Sequence, residues 1–333
     1  MKKLNVTRRL DYFRRHAYNI LPYMTLRKAA NLVLNIIELK LKISSPRSYP
    51  PFIKIEPTPL CQLRCPGCRH ADPDYNDELS ADMRISIDNV KRIVKPFAHN
   101  LLCVSLSNHG EPLLNREISG LIRYLHEQNI AVTFPTNLSI KMDDKAIDDL
   151  VTSGVDTLSV SLDGASEESY LQYRVGGRFD LIKSNVRRLQ DAKARLGVKR
   201  PRLLWKFVIF EHNKHEVEQV RRTYKDLGFD AYEMVPDNRG ASIQAARRKR
   251  LKKSCFWPWH TMMIDWDGRI APCCTHHDFE LGNAIENDVS LIWTSEKYVN
   301  LREGLRDHSK MHPTCKGCLG ITQPATHEEV EVA

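Results

Sequence analysis

Apolar and polar residues alternate in two rhythms. Between positions 28 and 42 polar side chains recur at Lys28, Asn31, Asn35, Glu38 and Lys42. Spacings of three and four trace one face of a helix. Leu32, Val33, Leu34, Ile36, Ile37, Leu39 and Leu41 fill the positions between them, and Ser44-Ser45-Pro46-Arg47 and Pro50-Pro51 end the segment. From Phe52 onward short apolar runs alternate with amphipathic stretches. The runs predict strands at 52–56, 101–106, 131–135, 157–162, 202–210 and 231–235, and the stretches predict helices at 87–97, 118–128, 145–153, 180–195 and 214–227. Such alternation calls for a parallel sheet with helices outside it. Six units are too few for the complete eight-unit barrel, so the expected architecture is α/β, a partial (β/α)6 barrel. After residue 235 the alternation stops. A hairpin signal then appears, with 262–265 and 269–271 flanking Trp266-Asp267-Gly268, followed by a helix at about 291–306. The expected organisation is an N-terminal helical extension (1–48), the barrel (49–240), a basic linker (241–254), a small Cys-rich α+β module (255–320) and a tail (321–333).

Charge changes this picture in one place. The 333 residues carry a formal net charge of +9, and residues 1–48 hold eleven Lys/Arg against Asp11 and Glu38, which accounts for the whole excess. A second basic run, Arg247-Arg248-Lys249-Arg250-Leu251-Lys252-Lys253, is local. A basic amphipathic helix suits the surface of an anionic membrane. The plainer alternative packs Leu32–Leu41 against the barrel and leaves the charges solvated. Nucleic acid is not expected as a partner, because base-stacking aromatics do not cluster with the basic runs. The charged start lacks the apolar core of a secretory leader, and no run approaches the ~20 apolar residues of a membrane span. A reducing cytoplasm is therefore expected, with peripheral attachment to the membrane's inner face as the variant. In that compartment clustered thiols read as metal ligands before disulfides.

The strongest chemical signal is Cys61-Gln-Leu-Arg-Cys65-Pro-Gly-Cys68, directly after the first predicted strand. Cys thiolates are the usual protein ligands of iron–sulfur clusters. Three thiols without a near fourth can hold three irons of a [4Fe–4S] cube and leave one iron open. Structural zinc would want four ligands, which His70 could complete. Further segments sit at strand ends: Gly110-Glu111-Pro112 after the second strand, Thr136-Asn137 after the third, Ser161-Leu162-Asp163-Gly164 at the end of the fourth, then Tyr173-Arg174. Parallel β/α folds bind ligands at the carboxyl ends of their strands. A carboxylate at Glu111 suits an ammonium, and Arg174 suits a carboxylate.

Together these segments resemble the radical S-adenosylmethionine (SAM) superfamily, over roughly residues 52–319. The resemblance implies that Cys61, Cys65 and Cys68 hold the SAM-binding [4Fe–4S] cluster. It implies that Gly110, Glu111 and Pro112 contact the SAM amino group, that Ser161 and Asp163 contact the ribose, that Arg174 lies near the SAM carboxylate, and, more weakly, that Asn137 belongs to the site. Two positions depart from the family pattern. Gly67 stands where an aromatic residue usually helps to hold adenine, and His109 stands where a further Gly is usual.

Cys255, Cys273, Cys274, Cys315 and Cys318 form a second constellation, C-x17-C-C-x40-C-x2-C. It resembles the SPASM domain or its shorter "twitch" form. The economical reading is one auxiliary [4Fe–4S] cluster held by Cys255, Cys273, Cys315 and Cys318, with Cys274 a small packing residue; four thiols also make an ordinary structural zinc set. Cys103 reads as core, and His260, His276 and His277 are given no role. The resemblance implies an enzyme in which reductive cleavage of SAM yields a 5′-deoxyadenosyl radical that abstracts hydrogen from a substrate carbon. With one auxiliary cluster as electron acceptor, a two-electron oxidation of a small sugar- or cyclitol-like, or lipid-linked, substrate is expected. A flavodoxin- or ferredoxin-like donor would supply the first electron. A peptide-modifying enzyme is the alternative, and a zinc-stabilised binding protein is the alternative outside catalysis. No acid or base that handles the substrate can be singled out.

Overall fold

The computed structural model describes residues 17–237, 255–273 and 279–319. The first sixteen residues of the extension, the basic run at 247–253, Cys274, His276, His277 and the tail lie outside the described residues.

The helix α1 (Leu26–Leu41) precedes the first strand and starts at Thr25, whose side chain accepts the Lys28 N–H. The β/α units follow as β1 (Phe52–Ile55), α2 (Pro73–Asp77), α3 (Ile87–Val94), β2 (Cys103–Leu106), α4 (Ile118–Glu127), β3 (Ala131–Thr136), α5 (Asp144–Thr152), β4 (Thr157–Ser161), α6 (Glu167–Tyr173), α7 (Phe179–Arg195), β5 (Arg202–Ile209), α8 (Val217–Thr223) and β6 (Ala231–Pro236). Past the linker come α9 (Trp257–His260), β7 (Thr261–Ile264), β8 (Ile270–Ala271), α10 (Val289–Trp293), α11 (Glu296–Arg306) and α12 (Pro313–Leu319). Helix starts follow local chemistry: Ser86, Asp143 and Ser166 each accept a backbone N–H from the first turn of α3, α5 and α6.

The strands form one sheet in the order β6-β5-β4-β3-β2-β1-β7-β8. The pairs from β1 to β6 are all parallel, as the six-unit expectation requires. The C-terminal hairpin does not stand apart. Strand β7 pairs in parallel with β1, Phe52 opposite Thr261 and Ile55 opposite Ile264, and β8 returns antiparallel to β7. Alternate residues of the central strands, among them Ile53, Val104, Phe134, Val160 and Trp205, face the helices in one continuous core that also takes in Met262 and Ile264. Alternation then turns Lys54, Ser105, Thr133, Ser159 and Lys206 to the inner face of the curved sheet.

The sequence expectation lacks the short helices α2, α6, α9 and α12, and three of the expected helices differ in the structure. The stretch at 214–227 opens with a 3-10 turn at Lys214–Glu216, and only then becomes α8. The helix expected at 291–306 is two helices, because Ser295 caps the start of α11 by accepting the Tyr298 N–H. The largest difference is α1. Its polar stripe faces the protein, with Lys28, Asn31, Asn35 and Glu38 all buried, while Val33, Ile37 and Leu41 are exposed. Packing of Leu32–Leu41 against the barrel with solvated charges is therefore overturned. The physical reason lies across the interface. Asn31 exchanges hydrogen bonds with the Tyr49 backbone, Asn35 donates to the Trp259 carbonyl (2.6 Å), and Glu38 accepts the Arg47 and Ser48 N–H groups. Lys28 Nζ donates to the Asn129 carbonyl. These partners all precede strands, so α1 covers the amino-terminal ends of β1, β3 and β7.

Candidate active site

The loop after β1 carries Cys61, Cys65 and Cys68. Cys65-Pro66-Gly67-Cys68 closes as a turn, the Cys68 N–H meeting the Cys65 carbonyl at 3.0 Å, with Gly67 at φ +75°. Pro at the second position and a positive-φ residue at the third define a type II turn. A positive φ suits Gly67, which meets no Cβ penalty there. Burial pushes the Cys61 thiol up to about 12, and the nearby Glu111, Cys65 and Cys68 push the same way. Burial raises Cys65 as well, while the Arg174 guanidinium pulls in the opposite direction. Among the described residues no three His, Cys, Asp or Glu side chains converge on one point at the spacing of a single ion. Two thiols that burial makes costly to ionise, Cys61 and Cys65, with Cys68 beside them in one loop, fit a cationic iron centre, which compensates thiolate charge. His70, the candidate fourth zinc ligand, is buried with its ring against Tyr75 and its Nδ1 paired with Asn76.

The Gly110-Glu111-Pro112 segment is locked to that loop. The Glu111 N–H donates to the Leu60 carbonyl at 2.7 Å. A Cβ on Gly110 would sit 2.0 Å from the Thr58 carbonyl oxygen, so only glycine permits the approach. Pro112 opens a 3-10 turn whose Leu113 N–H donates to the Glu111 carboxylate. That carboxylate is buried. It also accepts Thr136 Oγ1 (2.6 Å) and the Asn137 N–H (2.6 Å), and burial still pushes it up to about 6. Asn137 joins the two parts of the site, its side-chain amide reaching Cys61 Sγ at 3.8 Å and pairing with Gln62 at 2.9 Å.

Asp163, just past β4, is fully buried. It accepts the Val208 N–H at 2.7 Å and forms an ion pair with Arg174, whose Nε and Nη2 lie 2.7 and 2.6 Å away. Arg174 Nη1 reaches Cys65 Sγ at 3.8 Å. Burial opposes the guanidinium's charge, and the Asp163 carboxylate with Cys65 more than offsets it, so its pKa rises. The two residues expected to touch SAM separately are thus coupled to each other and to the cysteine loop. Ser161 ends β4 opposite Lys206. The structure brings Cys61, Cys65, Cys68, Gly110, Glu111, Pro112, Asn137, Ser161, Asp163 and Arg174 to the carboxyl ends of the strands.

Sequence reasoning missed several supports. Glu216 accepts the Ala165 N–H and the Ser166 hydroxyl, and Asn213 donates to the Asp163 carbonyl. Glu56 accepts the His109 N–H, and Asn115 donates to the Pro57 and Ile85 carbonyls. Each is a buried polar residue at a strand end or turn, where a backbone partner is needed, but nothing in local spacing distinguishes it from a surface polar residue.

The second constellation gathers at the other end of the sheet. Cys255 precedes α9 and β7, and Cys273 follows the antiparallel β8. Burial raises the Cys255 thiol to about 11, with Cys273 and Cys318 adding to the rise. Cys315 packs beside Cys255 against Trp259, Leu305, Met311 and Leu319. The four thiols come from three segments, and a set of four thiolates fits an iron–sulfur cluster. His260 is structural. It pairs with Asn35 and burial pushes it down to about 4. Cys103 is half-buried beside Thr133.

Comparison with known proteins agrees with this geometry. Residues 55–223, just over half of the chain, match the family model of the radical SAM superfamily, and residues 255–319 match that of the SPASM iron-sulfur cluster-binding domain. The AdoMet-dependent heme synthase of Methanosarcina barkeri is 25% identical over 283 residues, 82% of this chain and 72% of that protein. The tungsten-containing aldehyde ferredoxin oxidoreductase cofactor-modifying protein of Pyrococcus furiosus is 20% identical over 320 residues, 80% of this chain and 86% of that one. Among solved structures, Streptococcus suis SuiB superposes with a TM-score of 0.61 at 17% identity, covering 82% of this chain and 72% of SuiB, and anSMEcpe with bound AdoMet gives 0.55 at 15%, covering 81% and 88%. The cofactors that go with these domains are SAM with its [4Fe–4S] cluster and an auxiliary iron–sulfur centre. With its cysteine loop and carboxylate–arginine pair at the strand ends, and a second thiol set in the C-terminal module, the chain belongs to the radical SAM superfamily as an enzyme with a SPASM domain.

Proposed function

We propose that this enzyme carries out a two-electron oxidation of a small polar substrate, sugar- or cyclitol-like, held inside the barrel. The observation that carries the reading is the placement of the two thiol sets. Cys61, Cys65 and Cys68 follow β1, whereas Cys255 precedes β7, which runs parallel to β1. The barrel interior lies between them, with Lys54, Ser159, Lys206 and, in register with Lys206, Glu233 on its inner face. Such a lining suits hydroxyl and charged groups more than apolar ones.

Cys61, Cys65 and Cys68 would hold the first cluster, and Cys255, Cys273, Cys315 and Cys318 the auxiliary one. When bound, the first cluster and SAM supply a carbon radical that abstracts hydrogen, and the second supplies an electron acceptor. The chain's own residues orient SAM. Glu111 would receive its ammonium and the Ser161–Asp163 segment would approach the ribose, while Arg174, anchored by Asp163, turns its remaining donor toward the cluster loop. A flavodoxin- or ferredoxin-like reductant delivers the first electron.

The second reading is peptide modification. SuiB has been solved with its precursor peptide and shares the fold at a TM-score of 0.60. Anaerobic turnover of reconstituted enzyme with SAM, dithionite and a panel of polyols, sugars, lipid-linked sugars and peptides separates the two. One oxidised product per 5′-deoxyadenosine with a polyol or sugar is expected. A rearranged or epimerised product, or turnover with peptides alone, would sink the oxidation reading.

A further inference from the structure

The inverted orientation of α1 leaves an apolar face that the fold does not use. Its inner stripe is satisfied by hydrogen bonds to Tyr49, Ser48, Asn129 and Trp259. Its outer face presents Leu26, Val33, Ile37 and Leu41 at exposures of 92%, 57%, 47% and 66%. These fall at intervals of seven, four and four, one stripe along the helix. A contiguous apolar stripe on the surface marks something that covers it.

The charges around the stripe identify the covering. Glu38 is the only acid in α1 and is buried against the Arg47 and Ser48 backbone, while Arg27 and Lys40 are exposed. Further back in the sequence, residues 1–16 carry six Lys/Arg against Asp11 alone. Two copies of this face would bring cation against cation, so a symmetric dimer is disfavoured. An apolar stripe in a cationic surround matches an anionic bilayer, where basic residues meet the headgroups and apolar ones enter the acyl boundary. No described helix is long and apolar enough to cross a membrane. We propose that the outer face of α1 docks the enzyme flat on an anionic lipid surface. Because α1 covers the amino-terminal ends of the strands, docking turns the site of Cys61, Glu111 and Arg174 away from the lipid and toward water.

The test is flotation of the full-length reconstituted protein with vesicles of phosphatidylcholine alone or with phosphatidylglycerol added. Binding to the anionic vesicles is expected to exceed binding to the neutral ones by roughly tenfold or more. A Val33→Glu/Ile37→Glu variant is expected to lose it while keeping its iron content and melting temperature. A second variant, V33W, reads insertion directly: its added indole emission is expected to be quenched by brominated lipid. Wild-type protein that stays unbound, flotation unchanged in the double variant, no quenching, or a dimer that the double variant dissolves would each overturn the proposal.

Discussion

At the scale of single residues the site is built from buried charges that hold one another in place. Glu111 illustrates the balance. Burial pushes its carboxyl up to about 6, while Thr136 and the Asn137 and Leu113 N–H groups favour the ionised form. The sign follows from the raised value. The burial penalty on stability is absent below the ordinary carboxylate range and grows as pH rises through about 6. A bound ammonium reverses that, because it favours the carboxylate. SAM affinity is therefore expected to fall as pH drops through about 6. Glu111→Gln should weaken binding by about 10- to 100-fold, the worth of a charge-assisted hydrogen bond of ~1.5–3 kcal/mol, and should flatten the pH dependence. Equilibrium binding of SAM across pH 5–8 checks both effects, and a variant that retains the wild-type profile would remove Glu111 from the ammonium site.

At the scale of elements α1 reverses the usual rule for a surface helix. Its stability contribution comes from its polar side. Removing the side chain of Asn35 leaves the Ser48 hydroxyl and the Trp259 carbonyl without their partner, and removing that of Glu38 strands two N–H groups. Asn35→Ala or Glu38→Ala is expected to destabilise the fold by ~1–3 kcal/mol. Val33→Ser or Ile37→Ser, on the apolar side, should stay within ~0.5 kcal/mol, as for ordinary surface positions. Urea unfolding midpoints measured for the four variants under anaerobic conditions give the comparison. A larger loss from the apolar pair would mean that the stripe is packed in solution.

At the scale of the whole molecule the chain unites two thiol sets through one sheet. The hairpin β7–β8 is bonded to β1, so the C-terminal module and the cysteine loop share a strand as support. Anaerobically reconstituted protein is expected to carry about eight irons per chain, falling to about four in a Cys61→Ala/Cys65→Ala/Cys68→Ala variant. Iron and sulfide analysis with the visible spectrum reads the count. About four irons that vanish in the variant would leave the C-terminal thiols without a cluster and the proposed oxidation without its acceptor.

Strand and helix positions from β1 to β6 were legible because period and turn signals are local, and CxxxCxxC was legible because cluster ligation demands close thiols in one loop. Glu111 and Asp163, which follow strands, and Arg174, which caps the end of α6, were singled out by their resemblance to family segments. Three matters needed the folded chain. The coupling of Asp163 to Arg174 joins residues from different turns. The pairing of β7 with β1 joins segments more than 200 positions apart, which no local signal encodes. The orientation of α1 is the clearest case. Its two faces stand plainly in the residue pattern, but which one turns inward depends on what lies opposite. There, unpaired backbone groups at Tyr49, Ser48, Asn129 and Trp259 make the polar stripe the better partner, because a buried carbonyl or N–H without a hydrogen bond costs more than an exposed leucine.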